Sequence, residues 1–103
     1  MSNLNGKANG SMAFREEMLH EMREMAESGA DVRTMAFYVQ DKLGVERTAI
    51  IPVLAYFCTA FSLPLIEVLP IREWLGTDLD DDINREIMPK ILKARTKWLQ
   101  PSS

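Results

Sequence analysis

TAIIPVLAYFCTAFSLPLI, Thr48 to Ile66, is nineteen residues long and carries no charge, while Arg47 and Glu67 close it on either side. As one helix such a run would rise about 28 Å, enough to cross a hydrocarbon core. It could equally be the central helix of a small bundle, apolar all round because neighbours surround it. Three features decide for the core. Pro52 and Pro64 leave only about eleven residues of uninterrupted helix between them. Thr48, Thr59 and Ser62 dilute the hydrophobicity, and no basic cluster flanks the run to orient insertion. The expectation is a buried helix over about 48–62, Ala55 included, and no membrane association.

Working outward, the neighbours read as amphipathic helices that need such a centre. Phe14, Met18, Met22 and Met25 recur at spacings of four, four and three, widened by Leu19 and Ala26, with Ser11 as cap and Gly29 as terminator. The opposite face, from Arg15 to Glu27, is charged with mixed sign and reads as solvated. Asp31 caps a second helix through Val32, Met35 or Ala36, Val39 and Leu43, closed by Gly44. The third begins near Glu46 to Thr48, or later, because Pro52 is tolerated only in a first turn. Pro64 and Pro70 bracket LIEVL, and Ile71 to Leu75 ends at Gly76, a stretch that reads as one short helix or two broken turns. Thr77 or Asp78 caps a last helix to about Leu99, whose face is Ile83, Ile87, Ile91, Ala94 and Trp98.

No stretch alternates apolar and polar residues long enough for a strand. The expected class is all-α: a compact bundle of four or five helices around the central one, kinked or broken near Pro64, Pro70 and Pro89. Residues 1–11 read as a polar, flexible tail, part of which could be a tag remnant before a native Met12; residues 12–100 read as one helical domain.

The chain has 103 residues, 47% hydrophobic and 26% charged, with a net charge of −3. That is an ordinary globular composition, and it does not favour non-specific nucleic-acid binding. A single cysteine, Cys58, and the absence of an apolar leader make cytoplasmic the expected location.

Candidate chemistry is sparse. Cys58 sits among Ala55, Tyr56, Phe57, Ala60 and Phe61, an apolar setting that suits a small packed side chain better than a nucleophile. One histidine, His20, precludes a credible serine triad, and no glycine pattern suggests a phosphate loop. Glu17, His20 and Glu24 offer the spacing of a carboxylate-bridged metal site, but only one such motif is present. Asp78, Asp80 and Asp82 begin like a calcium loop, yet Ile83 stands where glycine is required and Pro89 where the last ligand belongs. No metal and no cofactor are expected.

Two functional classes lead, with a metal-dependent activity at Glu17, His20 and Glu24 as a weaker third. The first is a non-enzymatic protein-interaction domain: an adaptor, an inhibitor, an immunity-type binding protein or a self-associating structural subunit. Its contacts would come from the methionine stripe at Met18, Met22 and Met25 and from Trp74 and Trp98, placed near element ends. The second is a nucleic-acid-binding regulator, with the helices flanking Gly44 as a helix-turn-helix and Arg47, Lys90, Lys93 and Arg95 on phosphates. The third helix would then present mostly apolar residues to DNA, and the basic cluster near the C-terminus also suits a helix dipole. The distinguishing feature is whether those four cations converge in space.

Overall fold

Three of the interior prolines stand where a helix starts. Pro52 is the second residue of its helix, Pro64 is an N-cap in extended geometry, and Pro70 is a first residue. At those positions the missing N–H is one that a helix leaves unpaired anyway. The structure, a computed structural model, describes residues 14–74 and 80–98. Within them the elements are α1 (Glu16–Glu27), α2 (Val32–Leu43), α3 (Ile51–Phe61), α4 (Leu65–Val68), α5 (Pro70–Trp74), α6 (Asp80–Lys93) and α7 (Arg95–Trp98). The fold is all-α: four helices of eleven residues or more, joined by three single turns. The expected tail, the Ser11 cap and the Thr77 or Asp78 cap lie outside the described residues.

Helix ends follow from local chemistry. Gly29 and Gly44 take positive φ, and the N–H groups around them return to the carbonyls of the last turn. This is the Schellman arrangement, which glycine enters without steric cost. The same closure ends α3, with Leu63 N–H on the Cys58 carbonyl, but the left-handed position there holds Ser62 at φ 54°. At its start, α2 is capped twice. Asp31 accepts from Thr34 N–H at 2.8 Å, and Asn84 of α6 accepts from Val32 N–H at 3.0 Å.

α3 packs against α1, α2, α4, α5 and α7, so the uncharged run does form the centre. Its inward face is Val53, Leu54, Tyr56, Phe57, Ala60 and Phe61. Phe57, Phe61 and Trp98 form a chain of edge-to-face rings, with centroids 5.8 and 5.2 Å apart. Surrounding it are Met18, Met22, Met35, Val39, Ile83, Ile87 and Ile91, all buried. The helix is not buried on every side, however. Ile51, Ala55, Cys58, Thr59 and Ser62 form an outward stripe at helical spacing, partly or fully exposed. Ala55 is therefore half-buried rather than central, because α3 has one side that no described element covers.

Between Ile51–Phe61 and Leu65–Glu73 the chain turns through 119°, and among the described residues no single helix is long and apolar enough to cross a membrane. The expected break at Pro64 is this corner. At Pro89 the helix is not broken: α6 continues through the proline to Lys93 and is interrupted at Ala94. Pro89 is exposed, whereas Ile87 and Ile91 beside it are fully buried. Burial of those two side chains holds the helical path across the hydrogen bond that the proline lacks. The single long helix expected to Leu99 is thus two, α6 and α7, and the Trp98 indole N–H donates back to the Ile91 carbonyl at 2.8 Å.

A candidate interaction surface

The fold assigns the candidate residues to different places. Met18 and Met22 are fully buried and Trp98 nearly so, which corrects their reading as partner contacts: core packing takes these three. Met25 is half-buried and lines a recess of 370 Å³ with Glu21, Glu24 and Tyr38. Tyr38 donates its hydroxyl to Glu21, and burial together with that carboxylate raises its pKa. Trp74 closes α5, but its side chain is outside what is described.

The four cations do not converge. Arg47 lies before α3, paired with Asp41 at 3.0 Å and stacked 4.1 Å over the Phe37 ring. It also donates to Gln40, which is fully buried and donates to the Arg47 and Ala49 carbonyls. Those bonds pin the α2–α3 connection, so Arg47 serves the loop. Lys90 and Lys93 stand at the other end of α3, about 16 Å away by helix rise. Arg95 is taken by Glu27 of α1 at 2.6 Å.

His20 pairs with Glu24 at 3.1 Å on an open face, while Glu17 is held by Arg15. Among the described residues no three metal-ligating side chains gather. Burial raises the Cys58 thiol pKa, the opposite of what a nucleophile needs.

What the sequence reading missed is the apolar surface that the corner leaves exposed. Only four large apolar side chains among the described residues are exposed: Ile51, Leu65, Ile66 and Leu92. Leu65 and Ile66 are adjacent, 54% and 68% exposed, at the start of α4. Ile66 continues through Leu69 and Pro70 into a shallow depression of 230 Å³. On that turn Ile66 points about 160° away from Val68, so Ile66 faces out while Val68 is buried. The available signal was the pair of prolines, which confine PLIEVLP to a turn too short to have an amphipathic period.

On the other side of the corner lies a groove of 520 Å³. Ser62, Leu63, Pro64 and Glu67 form one wall, and Lys90, Lys93 and Lys97 the other, over Ala94. Lys90 is bonded to Glu86 at 2.8 Å and lies 3.6 Å from Glu67. The Glu86 hydrogen bond leads in raising its pKa. Lys93 and Lys97 are exposed and form no ion pair among the described residues.

No family model, curated protein or solved structure matches the chain.

Proposed function

We propose that this is a protein-interaction domain whose contact surface is the α3–α4 corner, with Leu65 and Ile66 as its apolar anchors. The observation that carries the reading is two adjacent aliphatic side chains left in water on a proline-bracketed turn. Single exposed apolar residues are ordinary, and Ile51 and Leu92 are of that kind; a cluster beside a groove is what interfaces use. The corner is also well supported. Val68 and Ile71 are fully buried beneath it, so the anchors stand on a fixed base. The partner is another protein or a second copy of the chain, and the contact is made without catalysis.

A photo-reactive amino acid at position 66 of the full chain tests this, with exposed Thr34 on α2 as the control position. A discrete adduct to another protein or to a second copy, formed from position 66 and not from position 34, is expected. No adduct from 66, or equal adducts from both, would contradict the reading.

A further inference from the structure

The corner supplies apolar anchors, and the groove beside it carries a charge pattern that narrows the partner's chemistry. Its lining holds three lysines against one glutamate, on a chain whose net charge is −3. Lys90 is already saturated by Glu86 and Glu67. Lys93 and Lys97 are not: they stand four residues apart on one rim, exposed and without an ion pair among the described residues. They belong to different elements, α6 and α7, on either side of the Ala94 break, and both line this groove. Leu63 and Pro64 in the opposite wall and Ala94 beneath add apolar surface, and from Pro64 the chain runs directly into Leu65 and Ile66.

Resting on the interaction surface proposed above, we infer that the groove takes an acidic segment of a partner protein, its carboxylates against Lys93 and Lys97 and an aliphatic side chain against Leu65 and Ile66. A peptide fits better than the other polyanions. A nucleic-acid backbone carries a phosphate at every nucleotide and would find only Lys93 and Lys97 here, with Arg47 remote at the far end of α3, whereas a peptide can place carboxylates at those two lysines alone and keep apolar groups near Glu67. A bilayer is flat and cannot reach a concave floor. Opposite charge on the rim acts mainly on association rate and partner choice, and the apolar shelf supplies most of the contact energy.

The test is selection of displayed short random peptides on the full chain, followed by titration of a selected peptide. Expected are sequences that place Asp or Glu beside Leu or Ile. Their affinity should fall about tenfold or more in Lys93→Glu/Lys97→Glu, fall less in Lys93→Gln/Lys97→Gln, and weaken as salt rises. Circular dichroism should show both variants folded, since the two side chains are exposed. Neutral or basic peptides that need Leu65 and Ile66 but ignore the lysines would overturn this inference and leave the interaction surface standing. Absence of any selected peptide, together with no adduct from position 66, would overturn both. Tighter binding of duplex DNA or of phosphatidylserine vesicles through the same two lysines would overturn the acidic-peptide assignment.

Discussion

Gln40 is the one buried polar side chain in the described core, and all its main hydrogen-bonding capacity is used. Replacing it by leucine keeps the volume roughly and strips the Arg47 and Ala49 carbonyls of their donor. Urea unfolding should therefore show a loss of about 1 kcal/mol, because three part-buried hydrogen bonds are lost together; a wild-type midpoint would contradict that role. Ser62 makes the opposite case. It is the sole non-glycine residue at positive φ among those described, and a glycine there would relieve the contact between its Cβ and the backbone. Ser62→Gly should stabilise the domain by about 1 kcal/mol, measured in the same way. Gly29 and Gly44 announced their helix ends in the sequence, whereas serine is no left-handed signal and Ser62 could be found only by tracing the chain.

At the level of elements, the faces of α1 and α2 were legible because Met18 and Met22, then Val32, Met35, Ala36 and Val39, recur at helical period and all are buried. Boundaries set by tertiary contacts were not. Local chemistry marks Pro89 as a breaker and Ala94 as a helix former, yet α6 passes through the first and stops at the second, with Ile87 and Ile91 buried on either side of the proline. The α2 start combines both kinds of information, a local Asp31 cap and a distant one from Asn84. Asp31→Ala should cost about 1 kcal/mol at neutral pH. The Thr34 hydrogen bonds hold the Asp31 carboxyl below its ordinary 3.8. A lowered folded-state pKa means its contribution is present above the unfolded value and lost as pH falls through the folded one. The gap between wild type and Asp31→Ala should accordingly close below about pH 3.8, and a gap constant into acid would contradict the capping role.

For the whole molecule, Thr48 to Ile66 is two things rather than one. Its first part enters the centre of the bundle along Val53, Leu54, Tyr56, Phe57, Ala60 and Phe61, and its last two residues turn outward at the corner. Composition alone could not divide them, since both parts are equally apolar; the 119° turn at Pro64 does. The candidate contacts moved for the same reason. Met18, Met22 and Trp98 were used up by packing, and the exposed apolar surface fell to residues that looked like core. Placing the same charge on either side of Pro64 tests this division most directly, by comparing thermal and urea unfolding of Phe57→Asp and Ile66→Asp. Phe57 is fully buried, so its aspartate should cost several kcal/mol and abolish the cooperative transition. Ile66 is 68% exposed, so its aspartate should stay within about 0.5 kcal/mol of wild type. A folded, wild-type-like Phe57→Asp, or an Ile66→Asp that unfolds as readily as it, would contradict the division of this run into core and contact surface.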